Sequence, residues 1–308
     1  MSEKMMQAIR VHDFGGPEVL VLEQAPVPQP GAGQVLVRVV AAGVNPADWK
    51  IRAGLYKPFR ELPLPFTPGL EAAGTVEAVG PGVTAFKPGQ AVFGAVMGGY
   101  AQYALAAATD LQPKPTNLTF EEAASVPVGA LTAWGSLFET AKLQAGQRVL
   151  VQGAAGGVGI FGVQLAHWKG AYVIGTASAG NAEFVRSLGA DQVVDYKAAP
   201  FETVLHDLDM VFDTVGGEVF ERSPKVLRAG GVLVTVAAQI APEMGKAEGV
   251  SVLRGGRAQV ESLAKIAGLL AAGKVKTYVS AILPLAEARK SHEMSQSGHT
   301  RGKIVLKI

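Results

Sequence analysis

No cysteine occurs anywhere in the chain. Disulfides, thiolate zinc sites, iron–sulfur clusters and a cysteine nucleophile are therefore excluded whatever the fold, and the composition fits a reducing compartment. An excess of one charge is lacking too. The 28 Lys and Arg stand against 26 Asp and Glu, for a formal net charge of +2. No Lys/Arg run of the kind that follows phosphates accompanies them, so nucleic acid is not an expected partner. Long apolar runs are also missing: Gly or charge breaks each one well short of the ~20 residues a membrane span needs. The opening "MSEKMMQAIRV" has no apolar core of a signal peptide. The expectation is a soluble cytoplasmic protein with no membrane segment. Internal repeats and low-complexity tracts are absent as well.

What is present suits a packed two-domain protein. Apolar residues make up 48% and charged residues 18% of the 308, enough burial to exclude general disorder. Gly is abundant at 38 residues, which points to many tight turns and close backbone approaches. The first third reads as β-rich: "QAIRVHDF", "EVLVLEQAP", "QVLVRVVAAGV", "AAGTVEAVG" and "GQAVFGAV" are short β-branched runs separated by Gly/Pro turns. "QVLVRVV" alternates too little for a solvated hairpin and is expected to be buried on both faces. From "EEAASVPVGALTAWGSLFETA", which has helical periodicity, the character changes. Strands ("RVLVQG", "YVIGTAS", "QVVDY", "DMVFDTVG", "GVLVTVA") then alternate with helix-like segments ("GVGIFGVQLAHWKG", "NAEFVRSLGA", "FETVLHDL", "EVFERSPKVLRAG"). That alternation reads as a doubly wound parallel sheet. A further helix "AQVESLAKIAGLLAAG" and strand "VKTYVSAIL" follow, and the tail "RGKIVLKI" is suited to rejoin the β-rich region.

"VLVQGAAGGVG" carries the most information. A buried strand runs into a Gly-rich turn that opens a helix, the context a dinucleotide fingerprint requires. The helix start offers unpaired N–H groups and a positive dipole end to a pyrophosphate, and glycine lets the backbone approach it. Ala154 holds the first fingerprint position and Gly156 and Gly159 the other two, with Gly157 and Val158 between them. The second strand ends in Thr176, Ala177 and Ser178, with no carboxylate for a ribose 2′-hydroxyl. Thr176, Ser178 and, after the third strand, Tyr196 are candidate donors to a 2′-phosphate, which favours NADPH; the same hydroxyls also suit helix capping.

With "AAGVNPADWKIRAGLY", "PGLEAAGTVEAVGPGV", "GGYAQYALA", "GALTAWGSLF", "GAAGGVG" and "SGHTRGKIVL" in this order, essentially the whole chain resembles the medium-chain dehydrogenase/reductase superfamily. Within it, the chain is similar to the zinc-independent NADPH:quinone oxidoreductase branch, the zeta-crystallin-like proteins. The resemblance implies an α/β fold with a GroES-like β-rich catalytic domain over 1–124, completed by 278–308, and a Rossmann doubly wound parallel-sheet cofactor domain over 125–277. Zinc-dependent relatives place a Cys ligand where this chain has Asn45, and a His where it has Leu70 in Gly69-Leu70-Glu71. The cysteine-rich structural-zinc lobe has no counterpart. The resemblance therefore implies no metal at either zinc position. His167, His206, His292 and His299 have no ligand spacing and read as surface or packing residues.

The resemblance also implies the chemistry. Hydride transfer from a nicotinamide needs orientation, exclusion of water and stabilisation of charge on the acceptor. An alcohol must also lose a proton, which zinc assists; a quinone or conjugated enone is already electrophilic and needs only hydrogen-bond donors. Asn45 matches the Asn of the family's "GVNP" and is expected to donate to the acceptor oxygen, with support of the turn before Pro46 as the alternative role. Tyr56 is expected to stack on, or donate to, a planar substrate, and Asp48 to position neighbouring groups. Lys50 and Arg52 read as solvent-facing, and Trp49 as a shaper of the pocket. On the cofactor side Thr132, Val215, Gly216 and Ala237 are expected beside the dinucleotide, and Arg301 is a candidate for its 2′-phosphate, offset by three residues from the family's Arg, where this chain has Gly298. The expected activity is NADPH-dependent hydride transfer to quinones by a homodimer acting on small planar substrates. Reduction of activated C=C bonds (enal, enone or enoyl) and a non-catalytic NADPH-binding role remain open alternatives.

Overall fold

The structure is a computed structural model that describes residues 4–55, 63–259 and 261–308. In chain order the first elements are β1 (Met5–Val11), β2 (Leu20–Pro26), β3 (Gln34–Val44), α1 (Pro46–Arg52), β4 (Glu71–Val79), β5 (Ala91–Ala95), β6 (Tyr103–Ala107), β7 (Leu111–Pro113) and α2 (Phe120–Ala124). Next come α3 (Pro127–Trp134), β8 (Arg148–Val151), α4 (Gly159–Lys169), β9 (Tyr172–Ala177), α5 (Ala182–Ser187), β10 (Gln192–Asp195), β11 (Leu208–Asp213), α6 (Gly217–Arg222), β12 (Leu227–Thr235) and β13 (Ser251–Arg254). The chain closes with α7 (Ser262–Ala271), β14 (Val279–Pro284), α8 (Ala288–Gln296) and β15 (Lys303–Lys307). Among the described residues no helix is long and apolar enough to cross a membrane.

Two compact units emerge: Met1–Val128 with Leu263–Ala271 and Thr277–Ile308, and Gly129–Ser262 with Ala272–Lys276. The first is a GroES-like β domain. Its seven-stranded sheet runs β14-β15-β3-β4-β5-β7, with β6 also paired to β3, and β1 and β2 form a separate antiparallel ribbon. β3 is the spine of this sheet. Ten of its eleven positions are buried or half-buried and only Arg38 is exposed, as expected for a strand covered on both faces. The tail returns as foreseen: β15 pairs antiparallel with β3, Ile304 opposite Val44 and Leu306 opposite Ala42. That register brings Lys303 abreast of Asn45.

The second unit is a Rossmann-like domain. All five strand pairs are parallel, in the order β10-β9-β8-β11-β12-β13. Order reverses between β8 and β9 on one side and β11 on the other, which makes the C-terminal end of β8 the switch point where such sheets bind ligands.

Several local expectations need correction. The helical run from Glu121 is two helices, α2 and α3, because Pro127 lacks the N–H that would continue the first. "FETVLHDL" forms only a single 3₁₀ turn, Phe201–Thr203, since Asp207 adopts φ 56° and sends the chain into β11. The helix expected over "EVFERSPKVLRAG" stops at Arg222, a 3₁₀ turn containing Pro224 follows, and the remainder already belongs to β12. β13 was not anticipated: four residues before a Gly pair carry little strand signal. Most of α7, assigned by sequence to the cofactor domain, groups with the first unit, where Asn117 Nδ2 donates to Leu270 O at 3.0 Å.

Two glycines test the packing in opposite directions. A Cβ on Gly74 of β4 would lie 2.0 Å from Arg38 O, a backbone atom of β3 that cannot swing aside. Gly74→Ala is expected to lower unfolding stability by at least about 2 kcal/mol. Gly268, exposed on α7 with nothing within 4 Å of a Cβ, is expected to gain about 0.5–1 kcal/mol as Gly268→Ala. Urea unfolding of both variants checks the pair.

Candidate active site

β3 ends at Val44, and Asn45, in extended conformation, is the N-cap of α1, whose first position is Pro46. Proline suits that position because its missing N–H would have had no helical partner. Asp48, three residues into the helix, accepts from Asn45 N at 2.8 Å through Oδ2, which fastens the strand-to-helix corner. The Asn45 side chain is thus presented sideways, 3% exposed, toward β4 and β15.

There it meets a buried ion pair. Lys303 Nζ donates to Glu71 Oε1 at 2.7 Å and to Asn45 Oδ1, and Asn45 Nδ2 donates to Glu71 Oε1 at 2.8 Å. Glu71 Oε2 accepts from Val128 N at 2.7 Å. Glu71 is fully buried and Lys303 is 3% exposed. A Cβ on Gly43 would fall 2.3 Å from Glu71 Oε1 and 2.6 Å from Ala124 O, so only glycine leaves room for the carboxylate. One of the two Asn45 Nδ2 hydrogens is spent on Glu71, and no described residue takes the second.

Behind Asn45 lies a second polar chain. Tyr100 OH donates to Asp48 Oδ2 at 3.2 Å, and His292 Nε2 lies 3.3 Å from Tyr100 OH. Burial, with Glu71 nearby, pushes the Asp48 carboxyl up to about 7 against the opposing effects of Asn45 N–H, Lys303 and Tyr100. Burial, with the Arg52 charge adding to it, pushes the His292 imidazole down to about 3. Arg52 is buried, not solvent-facing: it lies on the face of α1 toward α8, where its Nη2 reaches Gln296 Oε1 at 3.4 Å. His292 is likewise fully buried, as a packing role requires, whereas His167, His206 and His299 are exposed. Lys50 Nζ sits over the Trp49 ring, 5.6 Å from its centroid. Tyr56 lies outside the described residues.

In the second unit the turn after β8 is held by its neighbours. Gly153 N donates to Thr176 Oγ1 and Ala154 N to Thr176 O, both at 3.1 Å. Thr176 is 5% exposed, so its hydroxyl faces this turn. Gly156 N closes back on Gly153 O at 2.9 Å, and a Cβ on Gly159 would sit 2.1 Å from the same oxygen. Val158, the N-cap of α4, makes no side-chain cap hydrogen bond. Gly156, Gly157 and Val158 are half-buried around this open helix start. Such a cradle fits a dinucleotide pyrophosphate.

Sequence reading overlooked what shapes the adjacent loops. Asp213 Oδ1 accepts from Val215 N and Gly216 N, both at 2.9 Å, and Thr235 Oγ1 donates to Asp213 Oδ2 at 2.6 Å. Thr235 Oγ1 in turn accepts from Ala237 N and Ala238 N at 3.1 Å. Val215, Gly216 and Ala237 are therefore gathered at the ends of β11 and β12 by one buried carboxylate–hydroxyl pair. Ser178 and the exposed Tyr196 follow β9 and β10, neighbours whose ends pair Asp195 with Ala177, and Lys197 is exposed beside Tyr196. Thr132 lies half-buried on α3. Arg301 belongs to the first unit, on the turn into β15.

Residues 31–116 match the alcohol dehydrogenase GroES-like domain and residues 188–306 the zinc-binding dehydrogenase family. A quinone oxidoreductase of Rattus norvegicus is 37% identical, covering 99% of this chain and 98% of that protein. The chain belongs to the medium-chain dehydrogenase/reductase superfamily, in its quinone oxidoreductase branch. It is an oxidoreductase. Among solved structures, the quinone oxidoreductase from Coxiella burnetii superposes with a TM-score of 0.91 at 34% identity, over 99% of this chain and all of that one. A mycobacterial member solved with NADPH gives 0.90 at 33% identity, over 98% of this chain and all of that one. Zinc, implied by the family's name, finds no fitting donors here among the described residues: Asn45 offers a carboxamide already bonded to Lys303 and Glu71, and Glu71 is engaged by Lys303, Asn45 and Val128. Among the described residues no three His, Cys, Asp or Glu converge to hold a metal.

The two shifted groups give opposite pH slopes. Asp48 has a folded pKa above its ordinary 3.8, so its contribution is full below pH 3.8 and lost as pH rises to about 7. His292 has a folded pKa below its ordinary 6.5, so its contribution is full above pH 6.5 and lost as pH falls toward 3. Between about pH 4 and 6.5 the two offset each other. Relative to wild type, Asp48→Asn is expected to gain stability with rising pH across this window and His292→Phe to lose it. Each slope is about 1.4 kcal/mol per pH unit. Urea midpoints measured from pH 4 to 7.5 would show both; parallel profiles for the two variants would contradict the assignment.

Proposed function

We propose that the protein is an NADPH-dependent quinone reductase that works without zinc. The observation that carries this reading is the Asn45 carboxamide, whose oxygen is held by Lys303 and whose nitrogen, bonded to Glu71, has a second hydrogen that no described residue takes. A single N–H suits an acceptor that is already electrophilic and needs only its developing oxyanion stabilised. It does not suit an alcohol, which also has to surrender a proton. When bound, the reduced nicotinamide supplies the hydride. Asn45 donates to the acceptor oxygen, Asp48 holds the Asn45 backbone through its N–H, and solvent delivers the balancing proton.

On the cofactor side, the open start of α4 with Ala154, Gly156, Gly157, Val158 and Gly159 takes the pyrophosphate. Val215, Gly216 and Ala237 line the nicotinamide half with Thr132. Ser178 and Tyr196, with Lys197 adding positive charge, receive the 2′-phosphate. Thr176 serves the turn, which leaves Ser178 as the hydroxyl at that strand end. The absence of a carboxylate there and the NADPH complex of a similar protein support the preference. The edge position of β13 supports pairing into a homodimer.

Asn45→Ala is expected to lower kcat for a 1,4-naphthoquinone about 100-fold with a small change in KM, followed as NADPH absorbance. Lys197→Glu is expected to raise the Kd for NADPH about 10-fold or more and leave NADH binding nearly unchanged. Negligible turnover of a quinone panel beside rapid reduction of conjugated enals would replace the quinone reading with the C=C reductase one.

A further inference from the structure

Lys303 has no role in the reading above beyond holding an oxygen, and its burial calls for a reason. A buried ion pair is weak as a stabilising device, since apolar residues of similar volume often do as well or better. Here the pair does something an apolar replacement cannot. The Asn45 carboxamide lies between a cation and an anion, with its oxygen on Lys303 Nζ and its nitrogen 2.8 Å from Glu71 Oε1. Turning the amide over would set its oxygen against the carboxylate and its NH2 against the ammonium, so only one orientation is tolerated. A hydrogen bond from an ammonium to the amide oxygen also polarises the amide and strengthens its remaining N–H as a donor.

We propose that Lys303 is the positioning residue of the acceptor site, orienting the Asn45 carboxamide and passing the influence of its own positive charge through it to the acceptor oxygen. The inference rests on the reading of Asn45 as the acceptor's donor. The geometry supports a specific division of labour. β15 brings Lys303 abreast of Asn45, Glu71 fixes the ammonium from β4, and Val128 N fills the second carboxylate oxygen so that Glu71 cannot turn away. Lys303 never meets the substrate; its effect travels through one side chain.

The test is a double-mutant cycle on the full-length protein with NADPH and a 1,4-naphthoquinone. Lys303→Met is expected to lower kcat roughly 10- to 100-fold with KM changed little, and Lys303→Arg, which keeps the cation and its donors, to recover most of the loss. In the Asn45→Ala background, Lys303→Met is expected to add no more than about 2-fold, because the side chain it acts through is gone. Should Lys303→Met fail to fold with Glu71 left unpaired, Lys303→Met/Glu71→Gln removes the stranded charge and is read against Glu71→Gln in the same way. An equal loss in both backgrounds, or wild-type kcat in a folded Lys303→Met, overturns the proposal while Asn45 keeps its role. Wild-type kcat in Asn45→Ala overturns the acceptor reading itself and the proposal with it.

Discussion

The Glu71–Lys303 ion pair is the interaction on which the polar interior of the first unit depends. Each partner is almost wholly buried, and leaving either one alone would cost about 3–5 kcal/mol. The structure therefore surrounds the carboxylate with Lys303, Asn45 Nδ2 and Val128 N. That requirement reaches outward. It demands glycine at position 43, fixes the register of β15 on β3 and ties down the Val128 N–H at the start of α3. Asn45 is held twice, through its backbone by Asp48 and through its side chain by this charge arrangement.

A buried cation in this place also bears on how the superfamily's fold can host different acceptors. Where metal-dependent members use a Lewis acid, this chain keeps a carboxylate already neutralised by an ammonium, with a buried neutral amide bonded to both. An amide N–H polarises an oxygen less strongly than a metal ion does. In the neighbouring Asp48–Tyr100–His292 chain, burial disfavours ionisation of both the acid and the base.

In the second unit a parallel logic operates through Asp213 and Thr235. One buried carboxylate collects two backbone N–H groups and a hydroxyl, and that hydroxyl collects two more N–H groups. Two loops at the end of the sheet are thereby held, and the Arg254 guanidinium adds a bond to Ala238 O. The Gly-rich turn beside them is held by Thr176 in the same economical manner.

Much of this architecture was legible beforehand, because it rests on local signals. The β-rich opening, the alternation that builds a parallel sheet, the strand–glycine turn–helix of "VLVQGAAGGVG" and the return of the tail all follow from periodicity, turn residues and motif order. Absence of cysteine and the Asn at position 45 were likewise readable. Helix boundaries were less so where Pro127, Pro224 and Asp207 interrupt periodic runs. What tertiary structure alone decided is which polar residues meet. Glu71 and Lys303 are 232 positions apart, and the clearest hint in sequence was a lysine heading the apolar run Ile304, Val305 and Leu306. Arg52 reads as a surface arginine until α8 is laid over it. Local pattern specifies elements because it acts within a few residues; charge pairing across a core depends on strand register, which only the folded chain supplies.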